Sequence, residues 1–381
     1  MKGESLEIII DAGKLKEGVG KVEKVVPSNP AIQVINGIRI QANEDVSFFA
    51  TDLENTVRAG VKGEVKSAGD CVIPGKRFAA LVKSLDGEVE ITAKSGEVKV
   101  VTGGKEYKFL AYDAGEYPVI PDHKETARLT IPPAIFYEAL NLTKSCIDPD
   151  EPRPHFRGIL FDVKDSTLNV VGTDTRQLAL YKYHTAGEGL PDCQFLLPLK
   201  TASLILSAGQ IKITAPEIIL CGDSDGKFIS RAIFSWGDHV IWAQLLSGVE
   251  DFPDYDKVIP KKTENSAIFN RADLISILKR LSIFTSERHN KFSMMLAKET
   301  AELAILSPET GNARESIKAT YRLPQDEAIT TYFPVNMFMA NMSNLKSDQV
   351  RMSYTDGDKP VIIEDPANEF YTAIVMPLKG E

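Results

Sequence analysis

Few residues in this chain of 381 are spaced for catalysis. The five histidines have no histidine or cysteine partner four residues away, the spacing that places two metal ligands on one helix face. The four cysteines form no CxxC pair, so we predict neither a zinc site nor a disulfide framework and interpret them as free, mostly buried thiols. The acidic pair Glu364-Asp365 is more typical of a solvated turn than of acid–base chemistry.

Sequence motifs for nucleotide binding and hydrolysis are also missing. The stretch GKLKEGVGK (13–21) is the nearest approach to a phosphate-binding loop, and its spacing is wrong. Neither a dinucleotide-binding GxGxxG, a metalloprotease HExxH nor a GxSxG nucleophile motif is present. We therefore predict a protein that is not an enzyme and needs no cofactor or metal. A hydrolase that uses scattered carboxylates in a cleft remains an alternative.

Composition indicates a folded protein of two or three compact units, because 43% of the residues are apolar and 25% are charged. No apolar run approaches the ~20 residues of a membrane span, and MKGESLEIII lacks the pattern of a secretory signal. We predict a cytoplasmic location without membrane contact. The net charge of −9 alone would argue against nucleic-acid binding.

A repeated unit organises the chain. Each copy has a short β-rich run, an apolar-periodic stretch of about 11 residues and three strand-like runs separated by turns. The helix-like stretches are KLKEGVGKVEK (14–24), KRFAALVKS (76–84), AIFYEALNLTK (134–144), KTASLILS (200–207), RADLISILKRLS (271–282) and VNMFMANMSNLK (335–346). Proline stands at the start of four of them, and Asn270 is a candidate N-cap of the fifth. In the run 158–173 we expect a hairpin of two half-buried, alternating strands.

Six repeats pair into three similar domains. FFATDLENTV (48–57) and VVGTDTRQLAL (170–180) share Thr-Asp at the same place in repeats one and three, and EYPVIP and DFPDYDKVIP close repeats two and four. We predict domains at 1–124, 125–261 and 262–381. Two helices and about eight strands in each give an α+β fold with the helices in one layer and antiparallel sheet in the other.

Net charge differs between the helical stretches and the rest of the chain. The six helical stretches carry a net +9, so the remainder of the chain carries −18. Lysine and arginine are common on any solvated helix, yet five positive stretches and no negative one favour a basic helical surface suited to a polyanion. Because no base-reading motif is present, we predict contact with phosphates that is independent of sequence.

Several segments resemble one bacterial family over essentially the whole chain. They are FATDLE, PGKRFAALVKSL, EYPVIP, RGILFDV, VGTDTRQLAL, FPDYDKVIP and AIVMPLK, in that order. Their residues and spacing are similar to those of the DNA polymerase III β subunit, the sliding clamp. The resemblance implies a head-to-tail homodimeric ring with helices inside and sheets outside. Such a ring slides on duplex DNA as a processivity factor and tethers the replicative polymerase, the clamp loader and repair proteins through short linear motifs.

The resemblance also implies a hydrophobic partner-peptide pocket between the second and third domains. It places there Phe156, Thr173, Thr175, Arg176, Gln177, Leu178, Pro253, Lys257, Val258, Pro360, Ile374, Met376 and Pro377. The chain departs from the family by having TDTRQL where many members have TDGHRL, and by ending in MPLKGE. We expect Arg176 and Gln177 to orient the bound peptide. A peptide-binding scaffold that does not encircle DNA is the second alternative.

Two further sets of residues follow from this interpretation. Contacts to DNA are expected from Lys76, Arg77, Arg153, His155, Lys200, Lys279 and Arg280. The dimer interface is expected at edge strands of the first and third domains, with Lys105, Tyr107, Lys108 and Phe109 opposite Ile283, Phe284, Glu299 and Glu302.

Overall fold

The fold consists of seven helices and 26 strands in the part of the chain that the structure describes. The computed structural model describes residues 5–120, 124–185, 189–209, 214–222, 228–261, 263, 265–286, 289–297, 299–322 and 328–379. The helices are α1 Ala12–Val22, α2 Gly75–Val82, α3 Pro133–Thr143, α4 Leu199–Gly209, α5 Tyr255–Val258, α6 Arg271–Leu281 and α7 Val335–Ser343. All six helices predicted from the sequence are present, with starts within two residues, and the α+β class is confirmed.

Local signals explain where these helices begin. Pro74 and Pro334 occupy the N-cap positions of α2 and α7, and Pro133 is the first residue of α3. The predicted N-cap of α6 is confirmed, because the Asn270 side chain accepts a hydrogen bond from the Asp273 N–H at 3.0 Å. The Asp11 carboxylate caps α1 in the same way, by accepting hydrogen bonds from the Gly13 and Lys14 N–H groups.

The chain folds into two compact units, residues 1–133 with 203–245 and residues 134–202 with 246–381, called unit 1 and unit 2 below. The strands of unit 1 are β1 Leu6–Asp11, β2 Gly37–Ala42, β3 Val46–Thr51, β4 Asn55–Val61, β5 Glu64–Ser67, β6 Gly69–Pro74, β7 Glu88–Lys94, β8 Glu97–Thr102, β9 Lys105–Leu110, β10 Lys124–Leu129, β15 Glu217–Gly222, β16 Ile229–Trp236 and β17 His239–Gln244. They form a five-stranded sheet in the order β5-β1-β7-β8-β9 and an eight-stranded sheet in the order β10-β15-β16-β17-β4-β3-β2-β6.

Unit 2 repeats this plan with two more sheets. Its strands are β11 Gly158–Lys164, β12 Thr167–Thr173, β13 Gln177–His184, β14 Cys193–Pro198, β18 Asn265–Asn270, β19 Lys291–Ala297, β20 Thr300–Ser307, β21 Gly311–Lys318, β22 Thr320–Tyr321, β23 Ile329–Pro334, β24 Gln349–Tyr354, β25 Val361–Asp365 and β26 Asn368–Val375. A nine-stranded sheet runs β14-β11-β12-β13-β26-β25-β24-β18-β22, and a four-stranded sheet runs β21-β20-β19-β23. All pairings are antiparallel within these ladders.

Apolar side chains of the helices pack on one face of these sheets. In unit 1, α1 lies so close to β3 that a side chain at Gly18 would meet the Phe48 ring at 2.8 Å. In unit 2, Phe338 of α7 packs against Phe333 and Phe292, with ring centroids 4.7 and 5.4 Å apart. At α1 and α7, helices therefore pack against antiparallel sheet, in keeping with the α+β class.

The hairpin expected in 158–173 is present, but one detail of the prediction is wrong. β11 and β12 pair directly across the two-residue turn Asp165-Ser166, with Lys164 opposite Thr167. The strand β11 does not alternate between buried and exposed residues, because every residue from 158 to 163 is buried. The second face of β11 is covered by Leu246, Val249, Phe252 and Ile259, which follow β17 in sequence.

The cysteines are free thiols, as the sequence predicted, and three of the four are buried. Burial raises the pKa of Cys71 to about 12, and the less buried Cys193 has its pKa raised to about 12 by burial and by neighbouring carboxylates.

Candidate functional site

A groove in unit 2 is built on the centre of the nine-stranded sheet. Its floor is one cluster of buried apolar residues, namely Leu160, Val171, Leu178, Leu180, Leu196, Tyr255 and Ile374. Leu178 on β13 lies directly opposite Ile374 on β26, so two of the predicted pocket residues are neighbours on one sheet face. Val249, Phe252 and Ile259 pack against the same cluster and cover part of it, and we call residues 249–259 the covering segment. We call this surface the unit 2 groove.

A tight loop of residues 173–177, here called the pocket loop, stands at one end of the unit 2 groove. The Thr173 hydroxyl donates to the Gln177 carbonyl at 2.6 Å and accepts from the Thr175 N–H at 3.1 Å. Asp174 Oδ1 accepts from the Arg176 and Gln177 N–H groups, both at 2.9 Å. Thr175 has a φ of +73°, which is unusual for a β-branched residue and persists because these four hydrogen bonds fix the loop.

The end of β26 is attached to this loop. The Met376 N–H donates to the Arg176 carbonyl at 2.8 Å, so the chain leaves the sheet beside the pocket loop. The Met376 side chain is 39% exposed although the preceding residues Ile374 and Val375 are buried. A flexible, apolar side chain thus stands in solvent next to an apolar floor, an arrangement typical of protein-binding surfaces.

The thirteen predicted pocket residues divide into three groups by exposure. Those at the surface are Thr175, Arg176, Lys257, Val258 and Met376. Those that are buried are Phe156, Thr173, Gln177, Leu178 and Ile374. The prolines Pro253, Pro360 and Pro377 are half-buried. The exposed group can contact a ligand directly, whereas most of the buried group forms or supports the floor.

Phe156 supports the covering segment rather than the floor itself. Its ring lies 6.0 Å from the ring of Phe252, which packs against the floor cluster. Lys257, at the other end of this segment, makes an ion pair with Asp254 at 2.8 Å on the protein surface.

The expected role of Gln177 is wrong. Its side-chain amide is buried, donates to Asp174 Oδ2 at 2.9 Å and accepts from Asn341 Nδ2 at 2.8 Å. Asn341, fully buried on α7, also accepts from the Cys146 thiol at 3.1 Å. Gln177 therefore anchors the pocket loop to the helical layer of unit 2 and does not face a ligand.

Sequence reasoning missed how the covering segment is held. Tyr255 on α5 is buried in the floor cluster, and its hydroxyl donates to Asp162 at 2.5 Å. Burial and the bond to Asp162 together raise the pKa of the Tyr255 hydroxyl above its ordinary range. Asp162 also accepts from Gln194 at 2.8 Å, so the carboxylate is satisfied from two sides. The only sequence signal was an acidic residue inside an otherwise apolar strand.

Exposed basic residues lie on the helices, where the sequence placed the positive charge. Lys76, Arg77, Lys200, Lys279 and Arg280 all have exposed side chains. Arg280 is engaged by Glu315 through both oxygens, and the Lys76 ammonium donates to Ser28 at 2.7 Å. Arg153 pairs with Glu151 at 2.6 Å and stacks over the ring of Phe156, beside the half-buried His155.

The residues predicted for the dimer interface lie at or near two sheet edges. β9 is an edge of the five-stranded sheet, and it ends in Leu110, which is 81% exposed and was not predicted. β21 is an edge of the four-stranded sheet, beside the 3₁₀ turn that carries Ile283, 74% exposed, and Phe284. Within the chain, Lys108 makes ion pairs with Glu97 and Glu106. Glu302 lies one strand in from the edge and pairs with Arg314, and Glu299 is exposed at the turn before β20.

Two family models match most of the chain. The N-terminal domain of the DNA polymerase III beta subunit matches residues 6–121, and the C-terminal domain of the same subunit matches residues 256–379. The chain belongs to the DNA polymerase III beta subunit family. This family comprises non-catalytic processivity subunits of DNA replication, so the hydrolase alternative is wrong. The family likewise decides against the second alternative, a peptide-binding scaffold that does not encircle DNA.

Relatives and solved structures agree over the full length. The chain is 24% identical over 377 residues to a beta sliding clamp of Chlamydia muridarum, covering 98% of this chain and 99% of the relative. It is 25% identical over 387 residues to that of Bacillus subtilis, with 98% and 100% covered. The fold is similar to a sliding clamp of Bartonella birtlesii bound to griselimycin, with a TM-score of 0.90, 23% identity and coverage of 98% and 100%. It is also similar to the clamp of C. crescentus, with a TM-score of 0.91, 19% identity and full coverage of both chains.

Membrane spans and metal clusters are both absent from the described residues. None of their helices is long and apolar enough to cross a membrane. Within the same residues, no group of three or more His, Cys, Asp or Glu side chains could hold a metal ion.

Proposed function

We propose that two copies of this chain form a ring around duplex DNA in the cytoplasm, and that the ring tethers the replicative polymerase, the clamp loader and repair proteins through the unit 2 groove. Three similar domains, at 1–124, 125–261 and 262–381, would form each half of the ring. The observation that carries the proposal is the unit 2 groove: a buried apolar floor, a fixed polar loop and the exposed side chain of Met376 at its end.

Such a groove suits a short linear motif. Val258 and Met376, both exposed, offer adaptable apolar surface to Leu or Phe side chains above a floor that Leu178 and Ile374 help to form. The exposed guanidinium of Arg176 is positioned to fix a polar group of the peptide. A peptide that buries a few apolar side chains in this way binds at roughly micromolar affinity, about −8 kcal/mol. A moderate affinity allows partners to exchange on one ring.

Basic helices supply the contact to DNA in this proposal. Lys76, Arg77, Lys200 and Lys279 are exposed on α2, α4 and α6, and phosphate contact by lysine and arginine is independent of base sequence. Arg153, His155 and Arg280 complete the proposed set. Arg280 and Arg153 already hold carboxylates of their own chain, so DNA has to compete with Glu315 and Glu151 for them.

Edge strands supply the contact between the two copies. β9 and β21 each leave one row of backbone N–H and C=O groups without a partner strand in the described sheets. Exposed apolar side chains stand beside both edges, Leu110 at β9 and Ile283 with Leu306 near β21. Antiparallel pairing of β9 with β21 of the second copy, and the reverse, closes a symmetric ring with two equal seams. Lys105, Tyr107, Lys108, Phe109, Phe284, Glu299 and Glu302 remain the proposed flanking residues.

Replacing Met376 tests the groove. We expect Met376→Ala to remove most of the stimulation of a cognate polymerase, since the side chain contributes contact area at the rim. The dimer and its retention on circular plasmid should be unchanged, because neither uses this residue. The measurements are primer extension on a long template, and co-elution with circular and linearised plasmid.

Met295→Ala is the matched control, because this methionine of β19 is 37% exposed, close to the value for Met376. It should leave polymerase stimulation intact. Full stimulation by Met376→Ala would overturn the assignment of the groove. Equal retention of the unaltered protein on circular and linear plasmid would overturn the ring.

A further inference from the structure

The pocket loop of unit 2 has a structural copy in unit 1. Residues 51–55 join β3 to β4, and the Thr51 hydroxyl donates to the Asn55 carbonyl at 3.0 Å and accepts from the Leu53 N–H at 3.1 Å. Asp52 Oδ1 accepts from the Glu54 and Asn55 N–H groups at 3.0 and 2.6 Å. Leu53 has a φ of +77°, against +73° for Thr175. Each of the four hydrogen bonds that fix the pocket loop is therefore reproduced.

The neighbouring strand in the sheet, β17 in unit 1 and β26 in unit 2, is attached to the loop in the same way. The Gln244 N–H at the end of β17 donates to the Glu54 carbonyl at 2.8 Å, as Met376 does to Arg176. Trp242 lies opposite Thr56 in the ladder between β17 and β4, as Ile374 lies opposite Leu178. We call this surface of the eight-stranded sheet the unit 1 groove.

A covering segment borders the unit 1 groove as well. Tyr117 is buried in a cluster with Val72, Val34 and Ile35, and its hydroxyl donates to the Phe49 carbonyl at 3.4 Å. Its ring lies beside β6 and Arg39 of β2, and Phe49, Thr56 and Trp242, on β3, β4 and β17, are only half-buried. A groove of the same construction is thus accessible.

The chemistry of its floor differs from that of the unit 2 groove. By register, the positions of Leu160, Val171, Leu178, Leu180 and Ile374 are taken by Arg39, Phe49, Thr56, Arg58 and Trp242. Aliphatic side chains are thus replaced by two aromatic rings, two guanidinium groups and one hydroxyl. The floor keeps apolar surface for an anchoring side chain and adds fixed positive charge.

The positive charge is not all neutralised within unit 1. Arg39 is held by Asp70, but Arg58 has only a hydrogen bond to Ser47 at 3.3 Å and, among the described residues, no ion pair. Arg231, on the same face opposite Gln244, has none among them either. A carboxylate lying over β4 would bind Arg58 with strong charge-assisted hydrogen bonds, whereas Arg231, on the far side of β17 and four residues further along it, adds only longer-range positive charge.

We propose that the unit 1 groove is a second docking site, which takes a short acidic peptide segment with one Leu or Phe anchor from a partner protein. The anchor packs on Trp242 and Phe49, and an acidic side chain of the segment binds Arg58. Because the scaffold is that of a peptide groove and only its floor has changed, a peptide is favoured over a nucleic acid as the ligand. The inference goes beyond the function proposed above, and it rests on that function only in the choice of a peptide as the ligand.

The fluorescence of Trp242 can report binding at the unit 1 groove. The chain has two tryptophans, and the other, Trp236, is buried with its Nε1 donating to the Thr214 carbonyl at 3.2 Å. A Trp236→Phe variant of the full chain leaves Trp242 as the single indole. The probe is an acetylated, Gly/Ser-flanked peptide with the core Asp-Leu-Phe-Asp, compared with a peptide in which lysine replaces both aspartates.

The acidic peptide should change Trp242 emission saturably, with an affinity that weakens as salt is raised. The lysine peptide should produce no saturable change. Arg58→Gln should weaken the acidic peptide by about tenfold, since it removes a charge-assisted hydrogen bond. Met376→Ala, in the same background, should leave the titration unchanged, which separates this site from the unit 2 groove. If Trp236→Phe does not fold, the difference between the unaltered chain and Trp242→Phe gives the same signal.

Three results would overturn the inference. One is an emission change that Met376→Ala removes, because it would then originate in the unit 2 groove. Another is equal binding of the acidic and lysine peptides, or an affinity indifferent to Arg58→Gln. The third is tighter binding of oligothymidylate than of the acidic peptide to the same indole, which would make the surface a nucleic-acid site.

Discussion

Asn341 and Gln177 form the contact that fixes the pocket loop to α7. The Asn341 amide donates both to Gln177 Oε1 at 2.8 Å and to the Met337 carbonyl at 2.9 Å, and both amide side chains lie in the interior of unit 2. A buried amide without partners costs about 1–3 kcal/mol. The loop that carries Arg176 therefore depends on a side chain 164 residues away in sequence.

We expect Asn341→Ala to lower the free energy of unfolding by about 1–3 kcal/mol, because it leaves Gln177 Oε1 and the Cys146 thiol without this partner. Peptide affinity for the unit 2 groove should weaken about fivefold, as the pocket loop loses its anchor. Urea denaturation and a labelled peptide measure the two effects. Asn336→Ala, an exposed position on the same helix, should change neither. Unchanged stability of Asn341→Ala would show that the buried contact is not formed.

Local sequence predicted the pocket loop but not the role of each residue in it. Thr173 and Asp174 are recognisable as a turn because their side chains bond backbone within four residues. Gln177 was misjudged because its decisive partner lies on α7, and no local pattern indicates a contact of that sequence separation. Tyr255 was not predicted as part of the site for the same reason, since its partner Asp162 lies 93 residues away.

At the scale of secondary structure, the turn between β11 and β12 contains backbone strain that a substitution can relieve. Asp165 and Ser166 have φ values of +49° and +59°, the left-handed region that a two-residue turn requires and that favours glycine. Ser166→Gly should raise the free energy of unfolding by about 0.5–1 kcal/mol. Denaturant titration measures it, with Ser166→Ala as the control that keeps a Cβ and should bring no gain. A loss of stability in the glycine variant would mean that the turn is not strained.

Helix ends were predictable and strand burial was not. Proline and Asn270 act within one turn, so the starts of α2, α3, α6 and α7 could be predicted directly. Whether β11 is covered on its second face depends on residues 246–259, which approach it only in the folded chain. The alternation of its residues was therefore a poor guide to exposure.

The basic helices make a prediction about salt. Replacing Lys76, Arg77 and Lys279 with glutamine should weaken binding to duplex DNA equally on all sequences. The slope of log affinity against log salt should fall by ~0.9 for each phosphate that the protein no longer neutralises. Fluorescence anisotropy at several salt concentrations measures the slope. Lys94→Gln, an exposed lysine at the end of β7, should leave it unchanged. Effects that depend on base sequence would contradict phosphate contact.

At the scale of the whole molecule, the two proposed contacts between β9 and β21 determine whether two copies form a ring. Ile283→Ala combined with Phe284→Ala should shift the particle from twice the chain mass toward the monomer, because both seams then lack their apolar anchor. Light scattering after gel filtration over a dilution series measures the mass. Val119→Ala, which removes another exposed apolar side chain, should leave the mass unchanged. A dimer that persists in the double variant would place the interface elsewhere.

The repeats allowed most of the architecture to be predicted, since six similar patterns of helix and strands are visible in the sequence. The way the sheets continue was not predictable. The predicted domain boundaries lie near 124 and 261, yet β4 pairs with β17 and β13 pairs with β26. Each large sheet therefore takes strands from both sides of a predicted boundary. Pairing between strands so distant in sequence leaves no local trace.

The ladder between β4 and β17 also determines what happens when a protease cuts the chain. A protease that cuts the backbone near residue 124 severs one covalent link, but residues 55–59 remain hydrogen bonded to residues 239–243 on the other fragment. Their amides exchange with solvent only when this sheet opens as a whole. The two fragments would therefore stay together as one nicked particle, held by a continuous sheet instead of by the peptide bond.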